Sequence, residues 1–186
     1  MFFGTDKAAH GYLPTYLKIA SKLGSSPHIL ELGVFRGQSL EMWQALVPKG
    51  VVAGVDSDPE AYWPGGTHRI VCGQDDEKLP ARLKEIWPLS WDLIVDDCSH
   101  KGVLTKKSWD LLWPLVKPGG FYVIEDWFVG LPPWIHNGDP SGDPEMLRTA
   151  ESFLKLFASN GIWQPSDLES ATYKAGLIIL RKKNDS

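Results

Sequence analysis

Disulfide chemistry, a membrane span and a nucleic-acid footprint are all missing from this chain. Only two cysteines occur in 186 residues, Cys72 and Cys98, both in or beside apolar runs. Neither a disulfide framework nor a zinc site is expected, and each thiol should behave as a small hydrophobe. No apolar run approaches the roughly 20 residues of a bilayer span, and Met1-Phe2-Phe3-Gly4-Thr5-Asp6 turns polar too soon for a secretory signal. A reducing, cytoplasmic location with no membrane partner is the expectation. Nineteen Lys+Arg against 23 Asp+Glu give a net charge of -4, with basic residues gathered only at Arg181-Lys182-Lys183, which argues against phosphate-driven nucleic-acid binding. The remaining composition, 43% hydrophobic and 23% charged, is that of a packed globular chain, and the length suits one domain over 1–186.

Between His28 and Gly130, short β-rich runs alternate with stretches of helical spacing, the pattern of βαβ units in a parallel sheet. Runs 29–32, 51–55, 69–72, 93–95 and 121–124 are almost continuously apolar, as strands covered on both faces should be. Helical spacing fills 38–46, 77–87 and 103–116, the last closed by Pro118-Gly119-Gly120, and a further helix over 13–23 is broken by Gly24-Ser25-Ser26-Pro27. Met146, Leu147, Ala150, Phe153, Leu154 and Phe157 mark another helix, and 175–180 a last strand in a hairpin-like pair. The segment 127–144 is rich in Pro, Gly and Trp without periodicity, and a lid loop is expected there.

The first strand leaves through Glu31-Leu32-Gly33-Val34-Phe35-Arg36-Gly37-Gln38-Ser39, two glycines turning into a helix. Such a loop lets backbone approach a ligand and presents helix N-terminal amides to it. Its Gly33-x3-Gly37 spacing is not the G-x-G-x-x-G of a pyrophosphate site, and Glu31 would repel a pyrophosphate while suiting a cationic or hydroxyl-bearing ligand. Asp56 ends the second strand, where a carboxylate receives ribose hydroxyls, and Asp58 follows. After the third come Gly73-Gln74-Asp75-Asp76, polar groups suited to an adenine edge. Ordinary solvated turns would account for any one of these taken singly.

Together, in this order, they resemble the class I methyltransferases that use S-adenosylmethionine. The resemblance implies a Rossmann-like α/β fold: a seven-stranded, mostly parallel sheet with an antiparallel last strand and helices on both faces. It places Glu31, Gly33, Gly37 and Ser39 at the methionine end, Asp56 and the weaker candidate Asp58 at the ribose, and Gln74, Asp75 and Asp76 near the adenine, with Asp96 also on the cofactor.

Asp96-Asp97-Cys98-Ser99-His100 follows the fourth strand and Glu125-Asp126 the fifth. Neighbouring parallel strands lie about 4.8 Å apart, so these acids should emerge side by side at the carboxyl end of the sheet, where ligands bind in open α/β folds. Carboxylates so close raise one another's pKa unless a cation neutralises them. All-oxygen donors favour a hard dication, Mg²⁺ first, with Mn²⁺ or Ca²⁺ as alternatives. The other arrangement left open has Asp96 facing cofactor or backbone, Asp97 facing solvent and Glu125 paired to an arginine. His100 would overhang the same cleft, and an imidazole can take a hydroxyl proton near neutral pH.

An Asp-Asp-x-Ser-His stretch followed by a Glu-Asp pair is similar to the signature of the metal-dependent sugar O-methyltransferases that tailor macrolide and aminocoumarin antibiotics, a group with relatives described as cephalosporin hydroxylases. That resemblance implies Asp97, Glu125 and Asp126 as Mg²⁺ ligands, His100 as general base, and a small-molecule glycoside or diol as methyl acceptor. It extends to Gly4-Thr5-Asp6-Lys7-Ala8-Ala9-His10-Gly11-Tyr12 with Tyr16, a segment that covers the cofactor in that group; Thr5 and Asp6 would serve equally as helix-start residues, and Tyr12 and Tyr16 as core. The antibiotic enzymes are generally longer, which leaves sugar specificity open. A catechol-type O-methyltransferase, or a protein that binds S-adenosylmethionine without catalysis, remains an alternative. Of nine tryptophans, Trp43, Trp87, Trp91, Trp109 and Trp113 read as core, while Trp127, Trp134 and His136 are candidates for substrate contact, and Asp139 and Asp143 read as turn formers.

Overall fold

A computed structural model describes residues 4–131, 143–158, 167–174 and 176–185. Its strands are β1 (His28–Leu32), β2 (Val51–Asp56), β3 (His68–Val71), β4 (Trp91–Asp96), β5 (Val116–Ile124), β6 (Leu168–Lys174) and β7 (Leu177–Lys182). They form one sheet in the order β3-β2-β1-β4-β5-β7-β6. The pairs among β1 to β5 are parallel, whereas β7 runs antiparallel to both β5 and β6. The expected mostly parallel sheet with an antiparallel closing strand is therefore what the chain forms.

Six α-helices accompany the sheet among the described residues: α1 (Asp6–Ala9), α2 (Leu13–Ala20), α3 (Gln38–Leu46), α4 (Leu79–Ile86), α5 (Gly102–Leu112) and α6 (Pro144–Ala158). Side chains alternate across a strand, and that alternation divides the core in two. Leu30, Leu32, Ile94, Tyr122 and Ile124 face Leu83 of α4, Leu112 of α5 and Phe153 of α6. Ile29, Leu93, Val95 and Val123 face Tyr16 and Ile19 of α2 and Leu40 and Trp43 of α3. A polar residue one step beyond a strand's carboxyl end thus takes its face from the same alternation, which is how the site is built.

The helix expected over 103–116 stops at Leu112, continues as a 3-10 turn over Trp113–Leu115, and the chain is already extended at Val116. Pro114 has no N–H to donate back into the helix, and Val116 then pairs with Trp91 in the sheet. The expected lid begins as a 3-10 turn over Trp127–Gly130; its stretch 132–142, with Trp134, His136 and Asp139, lies outside the described residues. Asp143 caps α6, accepting from the Glu145 amide at 3.0 Å, and also ties down the start of α5 by accepting from Gly102 N at 2.9 Å. No helix among the described residues is long and apolar enough to cross a membrane.

Candidate active site

A cavity of about 610 Å³ opens at the carboxyl ends of β1, β2 and β4. One wall is the loop after β1, with Gly33, Val34, Phe35, Gln38 and Ser39; Asp56 and Ser57 follow β2; Asp97, Cys98, Ser99 and His100 follow β4; Gly4, Thr5 and Asp6 close it from the N-terminal segment. Gly33 sits at φ +91°, and a Cβ there would overlap the Asp97 carbonyl oxygen, so the loop after β1 lies directly on the loop after β4. The Asp56 carboxylate holds this loop in place, accepting from Val34 N at 2.8 Å, Phe35 N at 3.0 Å and Asp58 N at 2.9 Å. Burial would raise its pKa, but these amides outweigh it and hold the carboxyl below its usual value.

Of the residues expected on a cofactor, Gly33, Ser39 and Asp56 line the cavity and the others do not. Glu31 is fully buried, accepting from Trp43 Nε1 at 2.9 Å. Gly37 caps α3 at φ +70°, pressed against the Tyr62 carbonyl. Asp58 makes an exposed turn by accepting from Glu60 N, and Asp75 is exposed. Gln74 and Asp96 are turned the other way: Gln74 Nε2 donates to Asp96 Oδ1 at 3.3 Å, and Ser108 Oγ donates to Asp96 Oδ2 at 2.6 Å, beneath Tyr122. The last residue of β4 points into the α5 face by strand alternation, which corrects its expected place on the cofactor. Burial there pushes the Asp96 carboxyl up to about 6, despite the Ser108 bond.

Asp97 and Glu125 emerge on the opposite face, next to Glu31, and here the structure supplies a cation of its own. Lys7 of α1, with no exposure, sets its Nζ 2.6 Å from Asp97 Oδ2, 2.7 Å from Glu125 Oε1 and 3.0 Å from Glu31 Oε1. Tyr16 also donates to Glu125 Oε1. The three proposed metal ligands therefore divide: Glu125 lies with Lys7, while Asp126 lies at the mouth with His100. There His100 Nε2 is 3.8 Å from Asp126 Oδ2 and 3.9 Å from Asp97 Oδ1, and donor atoms of Asp97, His100 and Asp126 fall within 4.8 Å of one another. Tyr12 donates to Asp126 Oδ1 at 2.5 Å. The sequence expectation put a dication among the acids and read residues 4–16 as cofactor cover, with Tyr12 and Tyr16 alternatively core; that Lys7, Tyr12 and Tyr16 bond to the acids was not foreseen, because the partners lie 90 to 118 residues apart in the chain.

One ammonium does not balance this cluster. Burial pulls the Lys7 pKa down, but the charges of Glu31, Glu125 and Asp97 outweigh it and hold it well above the usual lysine value. Burial likewise raises Glu31, Asp97 and Glu125, and Lys7 only partly offsets the rise. Three non-glycine residues near this site adopt left-handed backbone, Phe35 at φ +48°, His100 at +52° and Asp126 at +54°. Such conformations cost on the order of 1 kcal/mol each and persist where surrounding structure enforces them.

The structure of MycE methyltransferase from the mycinamycin biosynthetic pathway, in complex with Mg and SAH, superposes with a TM-score of 0.73 at 23% identity over 93% of this chain and 50% of that one. The fold is that of the class I methyltransferases. In sequence, this methyltransferase-fold chain is 36% identical over 122 residues to L-olivosyl-oleandolide 3-O-methyltransferase of Streptomyces antibioticus, covering 61% of this chain and 31% of the relative. It is 32% identical over 135 residues to mycinamicin VI 2''-O-methyltransferase of Micromonospora griseorubida, covering 68% of this chain and 33% of the relative. The chain thus spans about a third of the length of the curated relatives it matches. No family model matches it.

Proposed function

We propose that this chain transfers a methyl group from S-adenosylmethionine to a hydroxyl of a small polyhydroxylated acceptor, a glycoside or diol, with a hard divalent cation, Mg²⁺ foremost, at the acid site. The observation that carries this reading is one cavity with the glycine loop and Asp56 on one side and Asp97 with His100 on the other. Its volume lies within the roughly 300–1,000 Å³ of small-ligand sites. Asp56 is ionised and amide-anchored and retains lone pairs, which suits the hydroxyls of a ribose. Phe35, 72% exposed and lining the cavity, offers a ring face to a planar base.

The donor set also fits a dication. Asp97 and Asp126 would hold it, their donor atoms lying within 4.8 Å of each other, while Glu125 stays with Lys7 in the adjoining acid group that shares Asp97. Among the described residues these acids outnumber the one buried ammonium beside them, and hard carboxylate oxygens match Mg²⁺. When bound, the sulfonium supplies an electrophilic methyl group and the cation lowers the pKa of an acceptor hydroxyl. His100 Nε2 would take the acceptor hydroxyl's proton while the bound sulfonium would give up its methyl group to that oxygen and be left as a neutral thioether. The imidazolium so formed is met by Asp97 and Asp126, each within 4 Å. The His100 and Asp126 side chains approach to 3.8 Å, and both residues have left-handed backbone. The relatives, named for methylation of sugar hydroxyls, support the acceptor class.

The test is formation of S-adenosylhomocysteine when the protein is given S-adenosylmethionine, Mg²⁺ and a panel of glycosides, aliphatic diols and catechols. Turnover is expected with a glycoside or aliphatic diol, lost in EDTA, and reduced about 10²–10⁴-fold in His100→Ala. Turnover undiminished in EDTA would refute the cation's role, and turnover confined to catechols would refute the acceptor class.

A further inference from the structure

Every carboxylate of the candidate cation site is held by a group from residues 7–16. Lys7 holds Asp97 and Glu125, Tyr16 holds Glu125, and Tyr12 holds Asp126. None of these contacts comes from the sheet that bears the acids. The same short segment walls the cavity with Gly4, Thr5 and Asp6, and Thr5 joins the two halves because its Oγ1 accepts from Lys7 N at the start of α1. A ligand pressing on 4–6 therefore presses on the backbone that carries the Lys7 ammonium. A cation drawing on Asp97 and Asp126 draws on the partners of Lys7 and Tyr12.

We infer that Lys7, with Tyr12, is a positioning residue that couples the two ligand sites: occupancy of the cavity by an adenosyl ligand and occupancy of the acid site by a dication favour each other through the N-terminal segment. The inference rests on the proposed function, since it takes those two ligands from it. The physical basis is a shared segment. Both sites use residues 4–16 in one packed arrangement, with Lys7, Tyr12 and Tyr16 buried, so a ligand that stabilises this arrangement at one site stabilises it for the other. Coupling of this kind is reciprocal, each ligand tightening the other by the same factor.

The experiment is calorimetric titration of the full chain with S-adenosylhomocysteine in the presence and absence of Mn²⁺, and with Mn²⁺ in the presence and absence of S-adenosylhomocysteine. The wild-type protein is expected to show mutual tightening of about fivefold or more, within the usual range of coupling between sites. Lys7→Met and Tyr12→Phe should bring that factor below about twofold, and Lys7→Arg should restore part of it, a rescue that a purely structural defect would not give. Tyr12→Phe keeps the ring and loses only the hydroxyl, so it answers the question even if Lys7→Met does not fold. Hydrogen exchange of amides 4–16 should slow with either ligand alone. Equal affinities for each ligand with and without the other in the wild type, or a factor unchanged in Tyr12→Phe, overturns the inference while leaving the proposed function standing. Failure of S-adenosylhomocysteine to bind at all overturns both.

Discussion

Asp96 and Asp97 are adjacent in the chain and live in opposite chemistry. Asp96 ends β4 facing α5, where it meets neutral donors only: the Ser108 hydroxyl, the Gln74 amide and the Tyr122 phenol. Asp97 faces the N-terminal segment and meets an ammonium at 2.6 Å. Burial raises both carboxyls, yet with different consequences. Asp96 can relieve its burial by taking a proton, because hydroxyl and amide partners accommodate a neutral acid. Asp97 shares one lysine with two other acids, all three raised by burial and only partly relieved by that ammonium, at a point that opens to the cavity. A buried acid with neutral partners is a structural feature, whereas one held by a shared cation beside a cavity is poised to receive another ligand.

Removing the ammonium should sharpen this contrast most. Lys7→Met leaves buried carboxylates without compensation, and urea denaturation should register a loss of about 3–5 kcal/mol. A loss under about 1 kcal/mol would mean that the acids are already protonated in the folded state.

The pH dependence comes next. The folded Asp96 pKa of about 6 lies above the unfolded value of about 3.9. The folded protein therefore holds a proton that the unfolded chain has released. The stability from this group is fully present below about pH 4 and is lost as pH rises through about 6, some 3 kcal/mol in all. Thermal midpoints should fall by about 5–10 °C across that window for a chain of this size, and Asp96→Asn should flatten the slope. A variant with the wild-type slope would assign the titration to Glu31, Asp97 or Glu125, whose raised carboxyls act in the same direction.

The smallest effect is expected from Ser108→Ala, which removes one donor from Asp96. The cost should be about 1–3 kcal/mol at pH 8, where the carboxylate is charged, and visibly less at pH 4. Equal costs at the two pH values would contradict the neutral-partner account.

Much of the architecture is legible before any coordinates. Apolar runs such as 93–95 and 121–124 exclude solvent on both sides, so they read as inner strands, and the acids that follow them must emerge at one end of the sheet. Helix α5 was harder, because its apolar spacing runs on through Leu115 while Pro114 ends the hydrogen bonding earlier. Gln74 misled for a related reason: a polar residue after a strand reads as a ligand contact, and only packing against α5 shows that Ser108 and Asp96 satisfy it.

The sequence alone determined the strand and helix alternation, the glycine loop and the places of Asp97, His100, Glu125 and Asp126 just beyond strand ends, because local periodicity and short-range turn chemistry specify each of these. Tertiary structure decided which way each acid turns and what neutralises it. Asp96 and Asp97 part because alternate residues leave a strand on opposite faces, and Lys7 enters the cluster from about a hundred residues away, across a distance in the chain that no local pattern records.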